Sequence, residues 1–188
     1  VRERVKRFNI KCDLENGFLG VAVNPTKGAA LREWFDGMAR KYNYDTDAEW
    51  ISPNDIKQWI DSPRYHSGYY DCRSGHVHPL NYCLGLAKGA ASLGVRIFQH
   101  SPVQSMQQGE VVKLHTETGT VNAKFVVLAG NMYLPEVSPK LAPALAKRIM
   151  PVGTYIIATE PIDAEVAAKL IPTKAAVCDT NFVLDYFR

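Results

Sequence analysis

Two short stretches hold the residues best suited to chemistry. In "GHVH", His76 and His78 flank Val77. Residues two apart on an extended segment face the same side, so both imidazoles could reach one cation, with Asp71, Cys72 or His66 as further ligands. Against that reading, no H-x-x-E or C-x-x-C completes a ligand set, and His78 stands directly before a Pro-initiated helix, where it can simply hold a turn. The expectation is therefore no metal. In "FVVLAGNMYL", residues 125–134, an apolar run enters Ala129-Gly130-Asn131. A buried parallel strand ending in Ala-Gly would offer backbone N–H groups at the carboxyl edge of a sheet, where open α/β sheets bind ligands. Glycine would let a ligand approach that backbone, although it would equally serve a plain turn. No Ser or Cys lies in a G-x-S-x-G elbow, and no acid–base dyad is evident, so no catalytic side chain is assigned.

Composition narrows the classes. With 188 residues, 46% of them hydrophobic, the chain can bury the core of one domain or of two small lobes. A net charge of +3 is too small and dispersed for a nucleic-acid partner; Arg2, Arg4, Lys6 and Arg7 read as a solvated helix face. No apolar run reaches the roughly 18 to 20 residues of a membrane helix, and "VRERVKRFNIKCD" lacks the apolar centre of a signal peptide, so the expected location is cytoplasmic. Cys12, Cys72, Cys83 and Cys178 are far apart and read as reduced thiols.

The elements that must position these residues follow from pattern. "VRERVKRF" reads as the tail of a helix. "IKCDLENGFLGVAVN" reads as a hairpin turning at Asn16-Gly17. Asn24 and Pro25 start a helix whose Leu31, Trp34, Phe35, Met38 and Tyr42 form one stripe, and "SPNDIKQWIDSP" makes a short helix capped by Ser52. After a strand at "SGYYDCRSG", Pro79 opens a helix with Leu80, Cys83, Leu84, Ala87 and Ala91 on one stripe. Its small residues Gly85, Gly89 and Ala90 suit close approach to a sheet, and Gly94 ends it. Strands are expected at "VRIF", in a hairpin over "VVKLHTETGTVNA", at "KFVVLAG" and at "MPVGTYIIATEPI". A short helix over 163–170 and strands in "AVCDTNFVLDYFR" complete a mixed α/β fold.

The stretches "SGHVHPLNYCLGLAKGAASLGVRIFQHSPVQSM", "VNAKFVVLAGNMYL" and "PVGTYIIATEPI" carry a resemblance that extends from "CDLENGFLGVAV" to "DTNFVLDYFR". The sequence resembles the D-amino-acid-oxidase-like family of FAD-dependent amine oxidoreductases, and within it the γ-glutamylputrescine oxidases of bacterial polyamine breakdown. The resemblance implies FAD as cofactor, a small-molecule amine as substrate, and a two-lobed fold. Residues 1–75 and 145–188 match a substrate-binding lobe, and 76–144 match a segment of the FAD domain. It implies that Val103 lies against adenine through its backbone, that Ala129 and Gly130 contact the dinucleotide, and that Tyr186 and Arg188 face the substrate. The family's G-x-G-x-x-G phosphate loop has no counterpart here, since no G-x-G occurs. The expectation is an internal piece of a longer oxidase, inactive alone and prone to self-association through exposed edges. A binding module on a partial oxidase scaffold is the alternative.

Overall fold

A computed structural model describes residues 1–44, 47–141 and 143–188. They fall into two units, one formed by 1–94 with 159–188 and the other by 95–158.

The first unit is organised by β1, Glu15–Ala22, which is paired along both edges. On one side lies β3, Ser67–His76, antiparallel; on the other lies β7, Ala176–Asp179, parallel. β2, Ala48–Ile51, borders β3, and β8, Tyr186–Phe187, borders β7, giving the order β2-β3-β1-β7-β8. The expected hairpin at Asn16-Gly17 does not form. Gly17 does take a positive φ of 105°, but it serves an irregularity in the β1–β3 register between Asn16 and Phe18. Glu15 opposite His76 shows the consequence: the partner of this strand is distant along the chain, and Asn-Gly marks a bulge instead of a turn.

Alternation along β1 divides the core between the two faces. Leu19 and Val21 pack with Val177, Ile51, Ile56, Ile60 and Tyr65 on one face, and Leu19 and Val21 have no exposed surface. On the other face α2, Pro25–Tyr42, lays Phe35 against Ala48 and Tyr69. Asn24 caps that helix by accepting from the Lys27 N–H at 2.9 Å, and Asn43 ends it at φ 50°. The stripe expected on α2 is only partly used: Phe35 is buried, whereas Trp34 and Tyr42 are exposed. α3 is confined to Ile56–Trp59; Ser52 bonds the Asn54 N–H and the Asp55 carboxylate in the preceding turn instead of capping it.

α1, Arg2–Arg7, and α4, Pro79–Ser92, complete the first half. The small residues of α4 meet this N-terminal segment and not a sheet: a Cβ on Gly85 would strike Ile10, and one on Gly89 would strike the Phe8 ring. Leu80 and Leu84 are left exposed. α7, Ala164–Leu170, forms where expected, with Asp163 accepting from the N–H groups of Glu165 and Val166.

The second unit contains a three-stranded antiparallel sheet of β4, Ser105–Gln107, β5, Val112–His115, and β6, Thr120–Ala123. A 3-10 turn, Asn131–Tyr133, and the short helices α5, Leu134–Val137, and α6, Pro143–Ala146, follow. Three expected strands are corrected here. "VRIF", residues 124–130 and residues 150–162 form no strand. Phe125 and Val127 are 88% and 86% exposed, and Ile156 is 94% exposed. The cause is missing hydrogen-bond partners. A parallel strand is held by neighbours along its edges, and among the described residues none pairs with these segments.

Among the described residues no helix is long and apolar enough to cross a membrane.

Candidate substrate-facing site

The sheet topology brings distant residues to one margin. β1 and β7 run away from that margin, whereas β3 and β8 run antiparallel to them and towards it. His76, the last residue of β3, and Arg188, immediately after β8, therefore meet although 112 positions separate them.

Phe187 opposes Val177 and stacks on Tyr65, 6.4 Å between ring centroids, so it belongs to the Leu19–Val21 face. Tyr186 opposes Cys178 and lies on the other face, with Arg188 two residues on along the same side. Cys178 in turn neighbours Gly20, over which the Tyr69 ring lies. Burial, reinforced by Cys178 and Asp71, pushes the Tyr69 hydroxyl up to about 12. Burial and then Asp179 push the Cys178 thiol up as well, so both groups are neutral at ordinary pH. Tyr186 remains 69% exposed. The result is an open surface carrying a phenol and a guanidinium, with Tyr69 and Cys178 neutral beneath it and the Asp71 carboxylate further along the same face.

The His76 ring fixes the guanidinium. Arg188 Nη1 lies 2.8 Å from His76 Nδ1 and 3.3 Å from the Val77 carbonyl, and His76 Nε2 lies 2.9 Å from the Lys174 carbonyl. A guanidinium can only donate, so Nδ1 accepts and Nε2 carries the hydrogen that it donates to Lys174. Among the described residues no carboxylate side chain forms an ion pair with Arg188. Its charge stays available to an incoming anion.

A buried carboxylate holds the turn into β8, at the end of β7 away from this margin. Asp179, 3% exposed, accepts from the Asn181 and Asp185 N–H groups at 3.0 and 3.1 Å, and from the Asn181 side-chain amide at 2.6 Å. Arg64 bridges Asp185 at 2.6 Å. The connection between β7 and β8 is thus wound around Asp179, and β8 leaves it in a fixed register. Asp71 has the matching role on β3. Burial acts to raise its carboxyl, but the Ser74 and Tyr44 hydroxyls and the Ser74 and Arg73 N–H groups outweigh that and hold it below the ordinary range.

The two histidines first considered as ligands are occupied otherwise. His76 serves Arg188, and His78 caps α4 by accepting from the Asn81 N–H. Among the described residues no group of three or more His, Cys, Asp or Glu is placed to hold a metal ion.

In the second unit, Val103 precedes β4 and is half-buried, and Ala129 is exposed. Gly130 has φ −82°, and a Cβ there would lie 2.8 Å from Leu134 Cδ1, so its own chain fills the space a side chain would need.

The family model for FAD-dependent oxidoreductases, DAO, matches residues 1–188. The chain belongs to this DAO family. FAD is the cofactor of the family, and its members are enzymes. A gamma-glutamylputrescine oxidoreductase of Escherichia coli (strain K12) is 39% identical over 188 residues, which is 100% of this chain and 43% of that protein. The L-proline dehydrogenase of P. horikoshii superposes with a TM-score of 0.71 at 14% identity, covering 98% of this chain and 48% of the other. Glycine oxidase from Geobacillus kaustophilus gives a TM-score of 0.62 at 20% identity, covering 72% and 37%. At these identities the two structures show the DAO fold alone. The chain spans under half the length of the curated relatives it matches.

Against this family the fit of the cofactor residues is partial. Val103, Ala129 and Gly130 offer peptide groups and small apolar surface, but no G-x-G occurs to cradle a pyrophosphate, and Leu134 fills the space beside Gly130. By themselves these residues leave a pyrophosphate without its glycine cradle.

Of the residues that matter here, Asp179 has no sequence signal beyond being acidic, and Asp71 shows in the sequence only as a possible metal ligand. His76 was visible, but its partner was not.

Proposed function

We propose that the protein carrying this chain oxidises a primary amine that also bears a carboxylate, of the γ-glutamylputrescine type, in polyamine catabolism. The balanced reaction takes R–CH2–NH3+, O2 and water to the aldehyde R–CHO, ammonium and hydrogen peroxide. Two electrons and the protons leave the amine carbon and nitrogen and O2 becomes hydrogen peroxide; FAD, when bound, would supply this redox chemistry. In this reading 1–75 and 145–188 contribute to the substrate lobe, and 76–144 to the FAD domain. Val103, Ala129 and Gly130 form a wall on the adenine side. A cytoplasmic location and a homo-oligomer belong to the same reading.

The observation that carries it is Arg188, a guanidinium held by two neutral acceptors beside the exposed Tyr186, with its charge uncompensated by any described carboxylate side chain. Such a group recognises a substrate carboxylate in a defined orientation. The E. coli relative, named for γ-glutamylputrescine, is consistent with a substrate that has both an amine to oxidise and a carboxylate to hold.

The test compares γ-glutamylputrescine with putrescine, which lacks the carboxylate, in the flavin-loaded protein. The flavin should bleach on anaerobic addition of γ-glutamylputrescine, and peroxide should form in air with kcat/KM well above that for putrescine. Arg188→Ala should lower kcat/KM for γ-glutamylputrescine by about 10- to 150-fold, the worth of a charged hydrogen bond, and change putrescine little. Equal turnover of the two amines by the unaltered protein would contradict the proposal.

A further inference from the structure

We propose that His76 is a positioning residue that sets specificity for carboxylate-bearing substrates by aiming Arg188. The inference rests on the reading of Arg188 as the substrate's cationic partner, and goes beyond it by assigning a role to a second residue that touches neither substrate nor cofactor.

The ring is held at both nitrogens. Lys174, at φ 55° in a turn closed by its N–H to the Ile171 carbonyl, presents its own carbonyl to His76 Nε2 at 2.9 Å. That bond fixes the ring plane and the tautomer, so the Nδ1 lone pair faces Arg188 Nη1 at 2.8 Å. The ring is itself placed by strand pairing, since His76 opposes Glu15 at the end of the β1–β3 ladder. A long side chain at the end of a two-residue strand is thereby tied to the most extensively paired part of the sheet.

The chemistry of the holder matters. An aspartate or glutamate at position 76 would also hold the guanidinium, but as an ion pair it would neutralise the charge and compete with the substrate's carboxylate for the same donors. A neutral imidazole orients Arg188 without cancelling its charge. Among the described residues Arg188 is engaged through Nη1, by His76 and Val77, so toward them Nη2 and Nε keep their hydrogens for a fork-like pair with an incoming carboxylate. Holding the fork in advance reduces the rotamer entropy lost when substrate binds.

Position 76 can be dissected one nitrogen at a time. His76→Asn places an acceptor oxygen near the position of Nδ1 and gives up the bond to Lys174. His76→Gln can reach the Lys174 carbonyl with its amide NH2 but has no acceptor at the Nδ1 position. Steady-state kinetics of the flavin-loaded protein should show KM for γ-glutamylputrescine raised roughly 5- to 30-fold in His76→Gln and in His76→Leu, with kcat within about two-fold. His76→Asn should recover most of that loss. KM for putrescine should be the same in all variants. If His76→Leu fails to fold, the Asn and Gln pair decides alone: equal KM values for those two variants overturn the proposal. Arg188→Ala separates the two layers. If it leaves KM for γ-glutamylputrescine unchanged, the reading of Arg188 fails; if it raises KM while His76→Gln does not, only the role of His76 fails.

Discussion

"FLGVA", residues 18–22, and "FVVLA", residues 125–129, have nearly the same local character, and the second has the higher strand propensity because a valine replaces the glycine. Their fates are opposite. The first lies in β1, paired on both edges, with Leu19, Val21 and Ala22 at zero exposure. The second belongs to no strand, and Phe125 and Val127 are almost fully open. The difference lies outside either segment. β1 finds β3 and β7 within the first unit, whereas no described residue pairs with 125–129. Apolar content creates a demand for burial, and a strand answers it only where another backbone accepts its hydrogen bonds.

Core deletion should expose this contrast most strongly. Leu19→Ala removes a fully buried side chain and should destabilise the first unit by about 2 to 5 kcal/mol, while Val127→Ala in the isolated chain should stay within about 0.5 kcal/mol. Urea unfolding followed by aromatic circular dichroism measures both. Similar losses in the two variants would mean that 125–129 is packed after all.

Alkaline pH should separate the regions more gently. Burial is the first cause of the raised hydroxyls of Tyr44, Tyr65, Tyr69 and Tyr70, and all four residues lie in the first unit. Tyr69 moves from 10.0 to about 12. A folded value above the unfolded one means that the stabilisation is complete below pH 10 and is lost as pH rises through 12. Stability of the first unit should therefore be flat up to about that lower value and then decline, with tyrosinate absorbance rising as it unfolds. Tyr69→Phe should make the decline shallower. An unchanged slope in that variant would contradict the assignment.

What could be read in the sequence follows the same division. Helices announced themselves through local chemistry: the Asn24 and Asp163 caps and Pro25 and Pro79 are found where expected, because a cap bonds within its own turn. The β5–β6 hairpin was legible for the same reason. Asn16-Gly17 misled, since a positive φ at glycine serves a bulge as readily as a hairpin and only the distant partner β3 decides between them. The apolar runs at 125–130 and 151–162 misled because pairing is non-local. At the candidate site, Tyr186 and Arg188 are proposed from family resemblance. The tie from Arg188 to His76 was not legible, because it depends on two strands ending at one margin. Asp179 looked like any acidic residue until the chain was seen wound around it.

Hydrogen exchange on the 188-residue chain, resolved to short peptides, tests the central claim most directly, because an amide's protection reports whether its backbone has a partner. Amides of 18–22 should be among the slowest to exchange. Those of 125–129 should exchange at close to the rate of an unstructured peptide, despite their greater apolar content. Comparable protection in the two segments would show that 125–129 is paired in this chain, and would contradict the account.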